Sequence, residues 1–366
     1  MIVHVFGKTD VGRTREHNED AFVVADLTAD DASLQPSVRT HTAGPRGSLF
    51  MVADGMGGAA AGEIASEMAT NIVLRELRRD WLPHVHPSAA AFASALKRAA
   101  AVANAEINAY AANHAEYRGM GTTATIAGLL GDTLYLVQVG DSRAYIVRDG
   151  EARQITKDQS LMQKLVEAGE LTEEEAERSE RRNIILQALG PESTVKVDLT
   201  HQRVRRGDTL VLCSDGLSGQ VTRQEIAQAV VEEHDLMATC KRLIDLANSA
   251  GGPDNITVIA ARFDGEGLED VAEGDHVGHR VFPLGEPGHT PAMGMDRVVD
   301  EASQRTTVPI HAVSAAEVPE TEAAVTPMVS EERRARGLAI QRMLLAVLAV
   351  VIVLAAAWWL LHGPRD

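Results

Sequence analysis

Five apolar runs that read as strands begin or end on a carboxylate, and this recurrence limits what the chain can fold into. "FMVAD" ends on Asp54, with Gly55 behind it; "LVQVGD" ends on Asp141; "LVLCSD" ends on Asp215. "GGPDN" sets Asp254 just before "ITVI", and "REHNEDAFVVAD" sets Glu19 and Asp20 just before the run Ala21 to Ala25. One Asp-Gly pair is ordinary turn chemistry. Six acids at strand mouths are harder to explain that way, because crowded carboxylates repel and resist ionisation unless a cation sits among them.

The order of the runs sets the class. "SLFMVADG", "DTLVLCSDG" and "NITVIAARF" read as buried strands, and "DTLYLVQVGDSRAYIV" as a hairpin turning at Gly140–Ser142. "GEIASEMATNIVLRELRRD" carries Ile64, Met68, Ile72 and Leu77 on a helical stripe, and residues 88–115 predict a long Ala-rich helix. Thr172 with Glu175, and Thr222 with Glu225, have capping-box spacing. Strands come in consecutive pairs with helices grouped between them. That pattern indicates an α+β fold of antiparallel sheets covered by helices, not a doubly wound parallel sheet.

Charge and hydropathy divide the chain of 366 residues. Of the net charge of -17, residues 264–330 hold thirteen acids against three basic residues. Without basic clusters the chain is not expected to bind nucleic acid. Residues 1–263 read as the folded domain, and residues 264–337 as an acidic, disordered linker containing Pro and Gly. Residues 343–361, "MLLAVLAVVIVLAAAWWLL", carry no polar side chain, so 338–361 is expected to be a single transmembrane helix, with a short extracytoplasmic tail at 362–366. Arg333, Arg334, Arg336 and Arg342 precede the apolar run 343–361 and only Arg365 follows it. The positive-inside rule then puts the large amino-terminal part on the cytoplasmic side of a plasma or inner membrane. "MIVHVFGKTD" lacks the basic start and apolar core of a signal peptide. Cys213 and Cys240 have no metal spacing and read as small buried hydrophobes in a reducing compartment.

Carboxylates without His or Cys among them suit hard divalent cations, Mg²⁺ or Mn²⁺, more than zinc. Two such ions can polarise a phosphoryl group and activate water. Gly55, Gly57, Gly58 and Gly62 around Asp54 allow close backbone approach, and the loop is no P-loop because no Gly-Lys-Ser/Thr follows. Arg15, five residues before Asp20, is suited to clamp a phosphate.

The stretches "DVGRTREHNEDAF", "VADGMGGAAAGEIAS", "GMGTTAT", "VGDSRAYIVRDG", "LVLCSDGLS" and "GGPDNITVI", in that order over about residues 7–263, resemble the metal-dependent protein phosphatases of type 2C, especially the bacterial branch. The resemblance implies a four-layer αββα sandwich of two antiparallel sheets flanked by helices, with the site at one edge between the sheets. It implies a phosphatase for phosphoserine and phosphothreonine on proteins, opposing a serine/threonine kinase. Two catalytic Mn²⁺ or Mg²⁺ ions are implied, and a third in bacterial members. Asp54 is similar to the carboxylate that bridges the two metals. Asp20, Glu19 through water, the Gly55 carbonyl, Asp215 and Asp254 match the other ligands, and Asp141 with Asp215 matches the pair for the third ion. Arg15 matches the phosphate-contacting arginine, and Asn255 a residue behind the ligands. The implied reaction is direct, in-line attack by activated water, with no phosphoenzyme.

The chain departs from relatives at Met56, Ala59 and Gln159, each of which stands where a His is found elsewhere. None is a metal ligand, and a metal-bound water then becomes the expected general acid. Residues 158–183 resemble the family's flap, read either as a substrate gate or as a plain solvated helical pair. His17 reads as a solvent-facing or satisfied His. Two other readings compete: a phosphoprotein-binding pseudoenzyme, which would have lost metal acids, and a sensor driven through the membrane helix. The linker could extend the domain's reach to membrane kinases. Thr306 and Thr307, after Arg305, are candidate phosphorylation sites.

Overall fold

A computed structural model describes residues 1–284, apart from 33–38, 58–60, 85–86, 180, 234 and 273. Residues 1–292 form one compact unit. In chain order its elements are β1 (Ile2–Asp10), β2 (Asp20–Asp26), β3 (Arg39–Thr42), β4 (Ser48–Met56), α1 (Ala61–Asp80), α2 (Ala89–Asn113), β5 (Gly121–Thr122), β6 (Ala124–Leu130), β7 (Thr133–Val139), β8 (Arg143–Arg148) and β9 (Glu151–Gln154). There follow α3 (Leu161–Glu167), α4 (Glu173–Glu177), β10 (Asp198–Arg203), β11 (Thr209–Cys213), α5 (Asp215–Ser218), α6 (Arg223–Glu232), α7 (Leu236–Ser249) and β12 (Ile256–Asp264).

The strands make two antiparallel sheets, ordered β3-β1-β12-β11-β8-β9 and β10-β7-β6-β4-β2, with β5 added to β4. Side chains alternate across a strand, and here both faces of the central strands are buried. On β4, Leu49, Met51 and Ala53 enter the core shared with α1 and α2, while Phe50 and Val52 enter the core between the sheets. On β12, Ile259, Ala261 and Phe263 face that same inter-sheet core, and Val258 and Ala260 face the one under α6 and α7. Three apolar interfaces therefore separate four layers. Each fully buried Leu, Val or Phe contributes about 1.5–3 kcal/mol, and this explains why these strands read as continuous apolar runs. Cys213 and Cys240 lie in the core under α6 and α7, and burial pushes both thiols up to about 12. The capping boxes at Thr172 and Thr222 both form.

Two sequence expectations change. The run from Thr133 to Arg148 is not a hairpin. Both edges of β7 are occupied, by β6 and β10, so β8 crosses to the other sheet and pairs with β11 and β9. The Gln138 amide donates to the carbonyls of Gly140 and Ser142 and holds this crossing. Asp141 therefore sits on a bridge between the sheets.

The second change concerns the expected linker, whose first residues are packed. Leu268 is buried in the inter-sheet core, Asp275 accepts from Arg205 Nε at 2.6 Å, and Phe282 stands edge-on to Tyr135. The Phe282 amide donates to the Leu199 carbonyl and the His201 amide to the Arg280 carbonyl, so this arm pairs with the open edge of β10. An unpaired edge strand is a liability, and the arm covers it. Few apolar residues mark this segment, which is why composition hid it. No helix among the described residues is long and apolar enough to cross a membrane. The expected span 338–361, the tail 362–366, Thr306 and Thr307 lie outside the described residues, as does Ala59.

Candidate metal centre

The acids meet at one end of the sandwich, supplied by both sheets. Asp20 opens β2 and Asp54 lies near the end of β4; the two strands are neighbours, and these two residues are direct cross-strand partners. Like charges placed directly opposite destabilise a sheet. Asp215 follows β11, Asp254 precedes β12, and Asp141 lies on the crossing from β7 to β8. Arg15, Glu19, Asp54, Asp141, Asp215 and Asp254 line one cleft of about 470 Å³.

The backbone around Asp54 is fixed from three directions. Its amide donates to Thr123 Oγ1 at 3.0 Å, and its carbonyl accepts from the Thr123 amide and Thr122 Oγ1. Thr123 Oγ1 also meets Ser142 Oγ at 2.8 Å, tying Asp54 to the turn that carries Asp141. Asp20 is held by Ser214, whose hydroxyl donates to Oδ2 at 2.8 Å and accepts from the Thr257 amide at 3.0 Å. The Glu19 carbonyl accepts from the Gly55 amide at 3.0 Å. A Cβ on Gly55 would stand 2.2 Å from the Gly62 carbonyl oxygen, and one on Gly62 would stand 2.6 Å from the Glu19 carboxylate. These two glycines let β4, the start of α1 and Glu19 close together.

Electrostatics agree with the geometry. Burial, with the charges of Asp215 and Asp254, pushes Asp20 up to about 7. Burial and Asp215 push Asp141 up to about 8. Burial holds Asp54 well above the usual carboxylate range, and neighbouring Asp20 and Asp215 add to it; Asp215 is raised by burial and by Asp254. Glu19 is raised chiefly by burial. Below this set lies Arg143, which donates to Asp158 at 2.7 Å and whose charge partly offsets the shifts of Asp141 and Asp215. Arg15 is half-exposed and donates to Asp254 Oδ2 at 2.9 Å.

The residues fit a pair of hard cations. Asp20 Oδ1 is buried with no hydrogen-bond partner, an orphan that costs about 1–3 kcal/mol or more for a charged group. Every side-chain donor here is oxygen, as Mg²⁺ and Mn²⁺ require. Among the described residues, no group of three or more His, Cys, Asp or Glu side chains stands close enough to hold a metal ion by itself. A cation that keeps several waters and accepts a backbone carbonyl needs no such group.

The other described residues singled out in the sequence have defined places. His17 is exposed, and its carbonyl accepts from Asn255 Nδ2. Met56 borders the cleft. Gln159 accepts from the Gly140 amide through its side chain and donates to Asp198, while its carbonyl accepts from Leu186 at the far foot of the flap. Asn183, the last residue of the segment read as the flap, and Ile185, two residues on, line the cleft. Ser214, Thr122 and Thr123 were not singled out, although each is adjacent to a motif acid or lies in "GMGTTAT". Hydroxyls at such positions leave no signal until the partner strand is known.

A family model for protein phosphatase 2C matches residues 24–256. The chain is 36% identical over 262 residues to the serine/threonine phosphatase Stp of Listeria monocytogenes, covering 72% of this chain and 96% of that protein. It is 37% identical over 261 residues to the serine/threonine protein phosphatase PstP of Mycobacterium tuberculosis, covering 71% of this chain and 45% of that one. A crystal structure of the PstP catalytic domain in complex with 2 manganese ions superposes with a TM-score of 0.58 at 35% identity, covering 72% of this chain and 99% of that one. Two sheets, flanking helices and an all-oxygen centre at their shared end thus coincide with a sequence match across most of the folded unit, and the chain belongs to the protein phosphatase 2C family.

Proposed function

We propose that the chain is a serine/threonine protein phosphatase held at a membrane by residues 338–361, with its folded unit in the cytoplasm, where it opposes a serine/threonine kinase. As a member of its family it is a phosphoprotein hydrolase that uses Mn²⁺ or Mg²⁺. The observation that carries the site assignment is the directly opposed pair of buried Asp20 and half-buried Asp54, with the orphaned oxygen of Asp20.

In this reading Asp54, Asp20, Glu19 through water, the Gly55 carbonyl, Asp215 and Asp254 would hold two ions, Asp54 contributing to both, and Asp141 with Asp215 would hold a third. Bound there, the ions supply positive charge that polarises the phosphoryl group and lowers the pKa of water. The chain's own residues do the rest. Arg15, on an exposed loop tip over Asp254, offers paired N–H donors to the phosphate. Thr123 and Ser214 fix the carboxylates so that little reorganisation accompanies charge development. Arg15, His17 and Ile185 line the cleft and would face a phosphorylated segment of a protein. The membrane part of the proposal rests on the apolar run 343–361 and its flanking arginines.

The test is hydrolysis of a phosphothreonine peptide by the full chain with MnCl₂, beside Asp54→Ala and Asp215→Ala. Metal-dependent turnover lost in both variants is expected; full activity in both, or none in the parent chain with metal, overturns the assignment. Flotation with lipid vesicles, lost when the chain ends at 337, is the corresponding test of anchoring.

A further inference from the structure

Arg15 sits on the loop between β1 and β2, residues 11–19, and one buried side chain closes the neck of that loop. Asn255 is 5% exposed. Its Nδ2 donates to the carbonyls of Val11 and His17, each at 2.9 Å, and its Oδ1 accepts from the Glu19 amide at 2.8 Å. The partners fix the amide's orientation: two carbonyls face the nitrogen and one N–H faces the oxygen. All three bonds go to the loop, and they join its first residue, Val11, to His17 and Glu19 at its end.

The neighbours of Asn255 hold the rest of the loop. The Arg13 amide donates to the Gly252 carbonyl at 2.8 Å, and Asp254 takes the Arg15 guanidinium. Gly12, at φ +84, lies so close that a Cβ there would stand 2.2 Å from the Asp254 carbonyl oxygen. Only the tip, with Arg15 half-exposed, is left to face a substrate.

We propose that Asn255 is a positioning residue for phosphate recognition: by closing the loop it sets the reach of Arg15 over the cleft. The inference rests on the reading of Arg15 as the phosphate contact. Asn255 meets Glu19 through a backbone amide and Asp254 through its own backbone N–H, so its side chain touches no carboxylate. Its loss should therefore register in substrate binding before metal loading. A conservative change makes the point sharply. Asn255→Asp keeps the shape and the acceptor for the Glu19 amide but turns the two donors into an oxygen facing two carbonyls.

The experiment is a double-mutant cycle on the full chain in saturating MnCl₂, with a phosphothreonine peptide as substrate and inorganic phosphate as inhibitor. The variants are Arg15→Ala, Asn255→Ala, Asn255→Asp and Arg15→Ala combined with Asn255→Ala. Both Asn255 variants should raise KM at least about tenfold and weaken phosphate inhibition by a similar factor, with kcat changed much less. The double variant should be little worse than Arg15→Ala alone, because the two residues act through one guanidinium. The midpoint of Mn²⁺ activation should move less than about threefold. If Asn255→Ala does not fold, Asn255→Asp carries the same comparison. The inference is overturned if KM and phosphate inhibition stay at parental values, if the two losses multiply, or if the main effect is a shifted Mn²⁺ midpoint. Failure of the phosphatase reading looks different: the parent chain itself does not turn over. Failure of the Arg15 reading shows in Arg15→Ala alone, as unchanged KM.

Discussion

Replacing Asp54 by Asn should stabilise the metal-stripped protein while abolishing its function. Asp54 and Asp20 are direct partners on adjacent strands. Such partners place their Cβ atoms about 4.5–5.5 Å apart. With about 5 Å between charges and an effective dielectric near 20, the repulsion is about 3 kcal/mol. Proton uptake limits this cost, since both carboxyls are raised, Asp20 to about 7. A relief of about 1–3 kcal/mol at pH 8 is therefore the expectation. At about 2 °C per kcal/mol for a domain of this size, that amounts to roughly 2–6 °C in melting temperature. The assay is thermal unfolding of the full chain, parent and Asp54→Asn, in EDTA and in excess MnCl₂. In EDTA the variant should melt higher. In Mn²⁺ the parent should gain about 2.7 kcal/mol per site at a hundredfold excess over Kd, the variant little, and the order should invert. Asp20→Asn should shift the EDTA value in the same direction. The reasoning is refuted if Asp54→Asn melts lower in EDTA and keeps the full Mn²⁺ shift.

Three further expectations follow from the packing. A Cβ on Gly55 meets two backbone oxygens, of Gly62 and Glu19, whereas one on Gly62 meets first the movable Glu19 carboxylate. Unfolding curves should show Gly55→Ala losing more than about 2 kcal/mol, and Gly62→Ala less, with a raised Mn²⁺ requirement in activity titrations. Phe282→Ala should cost about 1–3 kcal/mol in denaturant unfolding, since the ring packs on Tyr135 and His201, and ending the chain at 264 should cost more. His41, paired with Ser48 Oγ, is held by burial below its usual 6.5 despite Asp26 and Asp31. Its folded pKa being depressed, its contribution is full above pH 6.5 and is lost as pH falls toward the folded value. His41→Gln should therefore flatten the loss of melting temperature between pH 6.5 and 5, and an unchanged slope would contradict this.

Much of the site was legible because its residues sit beside elements the sequence marks strongly. Asp54, Asp215 and Asp254 flank apolar runs buried on both faces, and such runs read clearly. The hairpin expected at Gly140–Ser142 failed for a nonlocal reason: whether β8 can pair with β7 depends on β6 and β10 having filled its edges. The arm 265–284 was hidden because its hold on the fold comes from a few residues, Leu268, Asp275 and Phe282, set in polar sequence. Asn255 was visible as a motif letter, but its work is visible only once Val11, His17 and Glu19 are seen around it. The hydroxyls of Thr123 and Ser214 were invisible for the same reason.

If Asp54 contributes to two ions, as proposed, electron paramagnetic resonance of the Mn²⁺-loaded full chain reads it directly. An exchange-coupled Mn²⁺ pair is expected in the parent chain and absent in Asp54→Asn. Isolated single-ion signals in the parent chain at saturating Mn²⁺, or an unchanged coupled pair in Asp54→Asn, would contradict it.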